Sequence, residues 1–153
     1  MTNSEKISLK TNLVLECTKV LNKKASTAKQ AMDENQQQAN EYGLPKDRYD
    51  SFRTQLLQKK DLFAAQYQKI VEDIKLFEYV DSKTTFYKIK FGSVVITDAQ
   101  NFFVAVGMGK VVIDNSDFFV ISSKVPIFNA MKDKSAKDTF VFNGKEFLIK
   151  EVF

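Results

Sequence analysis

Apolar residues recur at helical spacing through the first eighty residues of the chain. The first arm carries a stripe at steps of seven, three and four residues, formed by Ile7, Val14, Cys17 and Leu21. The second arm carries a stripe at steps of three, four and then seven residues, formed by Tyr49, Phe52, Leu56, Phe63, Ile70 and Phe77. Such steps predict two helices packed as a short coiled coil, with Ser4 as the N-cap of the first.

A bend separates the two stripes near residues 41–50. Gly43 permits backbone angles that other residues resist, and Pro45 is tolerated in a helix mainly within the first turn. We therefore predict an antiparallel helical hairpin over residues 1–80, with its tip near residues 41–50. The apolar positions of the first arm thin out toward this tip, which predicts that its outer part is exposed to water on most sides.

From residue 81 the pattern becomes strand-like. Residues 81–153 hold 12 of the 19 aromatic residues, and short β-branched runs alternate with turn residues. We predict strands at 92–97, 102–106, 110–114 and 118–121, then a short helix from Pro126 to about Met131. Asn143-Gly144 stands between two apolar alternations and predicts a final β-hairpin.

The chain as a whole is predicted to be an α+β protein with two domains. Residues 1–80 form the helical coiled-coil hairpin. Residues 81–153 form a compact domain made of a small antiparallel sheet and one short helix.

The composition of the chain excludes several kinds of catalytic and metal site. The chain has no histidine and one cysteine, Cys17, so Ser-His-Asp and Cys-His catalysis, most zinc sites and an internal disulfide are excluded. We therefore expect a protein that is not itself an enzyme. Basic residues outnumber acidic ones only slightly, 13 against 11 in residues 1–80 and 10 against 8 in residues 81–153. Neither half shows an arginine-rich motif or a base-stacking pattern, so we expect no specific DNA binding.

The chain shows no targeting or membrane segment in its pattern. No apolar run is long enough to cross a bilayer, and the first residues lack the basic-then-apolar order of a secretory signal. We expect a cytoplasmic protein without membrane contact, and a monomer.

Three acidic residues gather at the predicted tip, namely Glu41, Asp47 and Asp50. Acids in the first turn of a helix complement its dipole, so they could serve the helix alone. The three-residue spacing of Asp47 and Asp50 would place both on one helical face.

Three stretches of the chain resemble the bacterial Gre family of transcript cleavage factors, most closely a shorter, divergent branch. The first is Ala28-Lys29-Gln30-Ala31-Met32-Asp33-Glu34, with Ala39-Asn40-Glu41 after it. The second is Lys46-Asp47-Arg48-Tyr49-Asp50-Ser51-Phe52-Arg53. The third runs from Ile121 through Val125-Pro126-Ile127-Phe128 to Gly144-Lys145-Glu146-Phe147-Leu148-Ile149.

The resemblance implies a fold and an activity. Gre factors join a coiled-coil hairpin to an FKBP-like globular domain, and the hairpin enters the secondary channel of RNA polymerase. There the tip carboxylates help to hold a second Mg²⁺, and the polymerase cuts the 3′ end of a backtracked transcript. The chain would then bind no cofactor alone and would share Mg²⁺ with RNA polymerase, as one or two carboxylates suffice for this hard cation.

Carried over by position, the family's acidic pair falls on Asp47 and Asp50, the expected metal-directed catalytic residues. Glu41 would assist them across the turn. Expected contacts to the tip and to the nascent RNA come from Arg48, Tyr49 and Arg53. Expected docking residues for the polymerase on the globular domain are Lys124, Ile127 and Phe128, although the last two also suit packing of the helix on the sheet.

The chain departs from the family pattern at several positions. Asp50 stands where glutamate is usual, Lys46 replaces a glycine, and Val125 replaces a serine. Asp133 and Lys137 stand where glycines are expected. These departures leave two alternatives open: a channel-binding regulator or inhibitor of the polymerase without cleavage activity, and a protein-interaction or chaperone-like module.

Overall fold

The computed structural model describes all 153 residues as two long helices followed by a six-stranded sheet and a short helix. Helix α1 spans Asn3–Tyr42 and helix α2 spans Phe52–Phe77. The strands are β1 Val94–Thr97, β2 Asn101–Ala105, β3 Gly109–Ile113, β4 Ser116–Ser122, β5 Thr139–Phe142 and β6 Lys145–Val152. Helix α3, Pro126–Met131, precedes β5. This order confirms the predicted α+β class.

Helix α1 begins with a capping box. The Thr2 hydroxyl accepts a hydrogen bond from the Glu5 amide at 3.2 Å, and the Glu5 carboxylate accepts one from the Thr2 amide at 3.0 Å. Two amides that have no partner inside the helix are thereby satisfied. The prediction of Ser4 as the N-cap is wrong by two residues, since Ser4 lies inside α1 and Thr2 is the residue with a partner three positions on.

The sheet is mixed, with strand order β3-β4-β2-β1-β6-β5. Four of its five pairings are antiparallel, but β2 and β4 run parallel, with Asn101 opposite Phe118 and Ala105 opposite Ser122. The prediction of a wholly antiparallel sheet is therefore corrected at this pair. In the β3–β4 hairpin it is the second strand, β4, that pairs with β2. The spacing of the strands along the chain does not predict this pairing.

Two tight turns set the register of the hairpins. Asn143 and Gly144 have φ of 51° and 75° and place Phe142 opposite Lys145, as the predicted two-residue turn requires. Asp114 and Asn115 do the same between β3 and β4, with φ of 49° and 63°.

One face of the sheet packs against α3 and forms the main core. The side chains of this core are Ile89, Val95, Phe102, Val104, Phe128, Met131, Phe140, Phe147, Ile149 and Val152. The opposite face carries Phe103, which contacts Phe77 at 6.3 Å between ring centroids. The first turns of α1 lie on this second face, where Lys6 stands over the Phe153 ring.

The chain divides into two compact units, one made of Met1–Thr18 with Lys75–Phe153 and the other of Lys19–Ile74. The first unit holds the sheet together with one end of each long helix. The second unit is a helix pair whose buried residues are Leu21, Ala25, Ala28, Ala39 and Leu56. None of the helices is long and apolar enough to span a bilayer.

Within the helix pair, the two arms run side by side. A shared groove of about 610 Å³ is lined by residues of both helices, among them Val20 and Ala31 of α1 and Phe63 and Ile70 of α2. The groove shows that the pair leaves part of its apolar stripe open, because two helices alone can cover only one side of each other.

Candidate functional site: the loop between the two helices

Residues 43–51 connect α1 to α2 and form the predicted tip. Helix α1 ends where Gly43 takes φ of 79° and its amide donates to the Ala39 carbonyl at 3.1 Å. This left-handed residue after the last helical turn is a common way to end a helix, and glycine adopts it without steric cost. The predicted role of Gly43 as the start of the bend is confirmed.

Asp50 holds the loop together. Its Oδ2 accepts hydrogen bonds from the Tyr42 hydroxyl at 2.5 Å and from the Lys46 amide at 2.8 Å. Its Oδ1 accepts one from the Phe52 amide at 3.1 Å, which satisfies a free amide at the start of α2. Both carboxylate oxygens are therefore engaged within the tip itself.

These contacts shift two pKa values. The hydrogen bond from Tyr42, with those from the Lys46 and Phe52 amides, lowers the pKa of the Asp50 carboxyl. The same bond raises the pKa of the Tyr42 hydroxyl, because the carboxylate stabilises the protonated phenol. At neutral pH the pair is thus a phenol donating to a carboxylate.

Asp47 differs from Asp50 in its surroundings. Its Oδ1 accepts the Tyr49 amide at 2.8 Å, and its backbone carbonyl accepts the Asp50 amide at 3.2 Å. The side chain is exposed, and Oδ2 makes no hydrogen bond within the protein. Asp47 therefore presents one free carboxylate oxygen to the outside.

The two aspartates do not share a helical face. Asp47 and Asp50 lie in a turn before α2, which begins only at Phe52, so the prediction of one helical face is wrong. The physical reason is that the Asp50 side chain accepts a hydrogen bond from the first amide of α2, which keeps Asp50 itself outside the helix. Aspartate commonly makes such side-chain bonds at helix starts. The turn still keeps both residues in the same loop.

The other predicted tip residues have distinct surroundings. Arg48 donates to the Tyr49 hydroxyl at 2.6 Å and stacks over its ring at 4.8 Å, while the Tyr49 side chain stays 78% exposed. Glu41, in the last turn of α1, accepts a hydrogen bond from Gln37. Arg53 is half-buried, and its Nε is buried without a hydrogen-bond partner. The contacts of these residues with RNA remain predictions.

Two residues, Tyr42 and Lys46, have contacts at the tip that were not predicted from the sequence. Tyr42 donates to Asp50 and packs edge-on against Phe52 at 4.8 Å between centroids. Lys46 stands over the Tyr42 ring at 4.6 Å and donates its ammonium to the Tyr42 carbonyl. An aromatic residue directly before the helix-ending glycine was the available clue to this anchoring role.

The predicted docking residues belong to the unit that holds the sheet. Lys124 is exposed in the turn before α3, and Ile127 is half-buried against the core. Phe128 is 6% exposed and is a core residue, so its predicted part in docking is corrected: its ring is used for packing. Docking through Lys124 and Ile127 stays a prediction.

The tip offers few side-chain ligands for a metal ion. No group of three histidine, cysteine, aspartate or glutamate side chains lies close enough to hold a metal ion. Mg²⁺ is often held through one or two protein carboxylates together with waters and phosphates. The free oxygen of Asp47 fits such a shared site as one ligand, whereas Asp50 would first have to release its partners.

Comparison with solved structures shows a similarity to a known protein. The chain matches the crystal structure of GreA factor homolog 1 (Gfh1) protein of Thermus thermophilus at 16% sequence identity, over 89% of this chain and 94% of that chain, with a TM-score of 0.34. No protein-family model matches the chain, and no curated protein matches it. At this identity and score the likeness adds nothing about function.

Proposed function

We propose that the protein is a Gre-type transcription factor that binds RNA polymerase through the helical hairpin and stimulates cleavage of backtracked transcripts by the polymerase. The observation that carries the proposal is the exposed Asp47 carboxylate in a braced loop between two long helices. The ordered resemblance of three sequence stretches to the Gre family supports it. The chain itself supplies no catalytic centre in this proposal and assists that of the polymerase.

The proposed roles of the two aspartates follow from their contacts. Asp47 would offer one oxygen ligand to a Mg²⁺ shared with the polymerase. Asp50 would act as a positioning residue, because its three hydrogen bonds fix the loop from which Asp47 projects. A hard cation bound by a carboxylate from each partner would supply charge stabilisation for in-line attack on the phosphodiester.

The test is cleavage of a stalled, backtracked elongation complex by purified protein. The native chain is expected to release short 3′ fragments, and Asp47→Ala should abolish this release, because the oxygen ligand that the chain offers to the shared Mg²⁺ is lost. Asp61→Ala serves as the matched control, because Asp61 is an exposed aspartate on α2 outside the tip. Absence of stimulation at saturating protein would refute the activity.

A second candidate function is a channel-binding regulator that does not promote cleavage. The engagement of both Asp50 oxygens favours it, because only one free carboxylate oxygen of the pair remains at the tip. This candidate predicts binding to the polymerase with altered initiation or pausing and unchanged cleavage. A pull-down that recovers no polymerase subunits would exclude both candidates and favour a plain protein-interaction module.

A further inference from the structure

A basic cavity of about 480 Å³ lies beside the segment 85–90, in the unit that holds the sheet. Its lining consists of Thr85, Phe86, Tyr87, Lys88, Lys90 and Asp133. The segment is tied to the end of α3 by two backbone hydrogen bonds, from the Ile89 amide to the Lys134 carbonyl at 2.9 Å and from the Asp133 amide to the Ile89 carbonyl at 3.1 Å. These bonds hold the backbone that carries Lys88 and Lys90 against the end of α3.

The net charge around this cavity is positive. Lys88 and Lys90 line it, and Lys132 and Lys134 flank Asp133, the only carboxylate in the lining. None of these four ammonium groups takes part in an ion pair. Free ammonium groups clustered on a fixed backbone attract anions, and phosphate oxygens accept their hydrogen bonds well.

Two aromatic rings, those of Phe86 and Tyr87, also line the cavity. The Phe86 ring is held between the ammonium groups of Lys10 at 4.3 Å and Lys90 at 4.0 Å, which fixes the position of Lys90. Tyr87 next to it is 90% exposed and stacks on no other ring or cation of the chain. A large ring left in water beside unpaired lysines has a face available for stacking.

We propose that this surface, formed by Tyr87, Lys88 and Lys90 beside the cavity, binds single-stranded nucleic acid without sequence preference. The Tyr87 ring would stack on one base, and the lysines would hold the phosphates on either side of it. Stacking on an exposed aromatic ring combined with backbone phosphate contacts is the general mode of such binding. An acidic protein segment could use the lysines but would leave the ring without a stacking partner.

The test measures fluorescence anisotropy of labelled 12-nucleotide RNA and DNA strands titrated with the purified full chain, at several salt concentrations. Saturable binding to both strands is expected. Tyr87→Ala should weaken it by about 10-fold, within the range measured for loss of one stacking ring. Lys88→Gln/Lys90→Gln should reduce the slope of log K against log salt by about 1.4, since each phosphate contact on a single strand contributes about 0.7.

Matched variants separate stacking from charge. Tyr87→Phe keeps the ring and should bind like the native chain, and Tyr79→Ala removes another exposed tyrosine and should have no effect. Lys145→Gln/Lys150→Gln removes two exposed charges on β6 and should leave the salt slope nearly unchanged. Circular dichroism of each variant reports whether the fold is kept, which the exposure of these side chains favours.

Several outcomes would overturn the proposal. If Tyr87→Ala binds as tightly as the native chain, no base stacks there and the lysines serve another anion, such as an acidic protein surface. Binding of duplex DNA as tightly as single strands, or equal loss in the β6 control, would indicate general electrostatic attraction. Because the assay contains no polymerase, its result is independent of the proposed function at the hairpin tip.

Discussion

Lys10 lies between Ile7 and Val14, the first two residues of the apolar stripe of α1. Its side chain is fully buried, its ammonium donates to the Thr84 carbonyl at 2.8 Å, and it stands over the Phe86 ring. Burial lowers the pKa of Lys10 to about 8, partly offset by the nearby Asp81 carboxylate and reinforced by Lys90. The folded chain therefore carries a costly buried charge at neutral pH.

This pKa predicts how stability changes with pH. Between about pH 8 and 10.5 the unfolded chain binds a proton that folded Lys10 has released, so the Lys10 contribution to the free energy of unfolding rises with pH. The lowered pKa corresponds to roughly 3 kcal/mol at pH 7, and the Thr84 carbonyl loses its hydrogen bond in the variant. We therefore expect Lys10→Met to raise the free energy of unfolding at pH 7 by about 1–2 kcal/mol, with the gain shrinking toward pH 10. Urea denaturation at pH 7, 8.5 and 10 measures this difference.

The difference between variants isolates Lys10. Cys17 is also buried and has its pKa raised to about 12, but its contribution is the same in both chains and cancels. Lys19→Met, at an exposed position of α1, is the control and should not raise the free energy of unfolding at pH 7. A gain from Lys10→Met that does not vary with pH would contradict the assignment.

Lys137 has a left-handed backbone conformation that lowers the stability of the fold. It has φ of 77°, and its amide donates to the Ile149 carbonyl at 2.8 Å. Asp133 also has a positive φ, of 63°. The resemblance to the Gre family expects glycine at both positions, and the structure supplies the reason, because only glycine adopts such angles without cost.

We expect Lys137→Gly to raise the free energy of unfolding by about 0.5–1 kcal/mol, the relief of left-handed strain less the added entropy of the unfolded chain. Lys132→Gly is the matched control: Lys132 has φ of −52°, so glycine there should lower stability by about 0.5–1 kcal/mol. Thermal and urea unfolding measure both changes. The same sign for the two variants would contradict the strain argument.

At the scale of elements, the tip loop depends on the Asp50 carboxylate. We expect Asp50→Asn to bring the pKa of Tyr42 down toward its usual range, because the negative partner that holds the phenol proton is gone. The amides of Lys46 and Phe52 should exchange faster with solvent, since they lose a charged acceptor. NMR titration of labelled tyrosine and amide hydrogen exchange give the two readouts.

The same loop responds to acid. Because the folded pKa of Asp50 is lowered, its contribution to the free energy of unfolding is present above the usual carboxyl pKa of 3.8 and is lost as the pH falls through the folded value.

The control for the Asp50→Asn experiment is Asp61→Asn, on an exposed part of α2. It should leave both the Tyr42 titration and the amide exchange of the loop unchanged. Unchanged Tyr42 titration in Asp50→Asn would show that the hydrogen bond does not persist in solution.

At the scale of the whole molecule, the two compact units differ in how much they bury. Unit Lys19–Ile74 has few buried side chains and an open apolar groove, while β1 and β2 are largely buried. Local opening is easier where few apolar contacts close over the backbone. We expect amides of residues 19–74 to exchange faster than those of β1 and β2, as measured by hydrogen exchange with mass spectrometry. Uniform protection along the chain would contradict this.

Much of the fold could be predicted because its determinants are local. Helical and strand periodicity, Gly43 and Asn143-Gly144 act over a few residues, so the element order and both bends follow from the sequence. The parallel pairing of β2 with β4 could not be predicted, because it depends on which strand of a hairpin meets a distant strand. The Thr2 cap was missed because several polar residues near the start of α1 suit that role.

The sequence by itself determined that this protein has a helical pair with an acidic connection, followed by a sheet domain, because apolar spacing fixes which faces must be buried. Only the tertiary structure decided how the acids differ. Asp50 accepts hydrogen bonds from Tyr42 and two backbone amides, whereas Asp47 keeps a free oxygen. Tyr42 and Asp50 are eight residues apart in sequence, so they meet only when the loop closes. The same holds for Lys10, Phe86 and Lys90, which become neighbours only when α1 packs on the segment before β1.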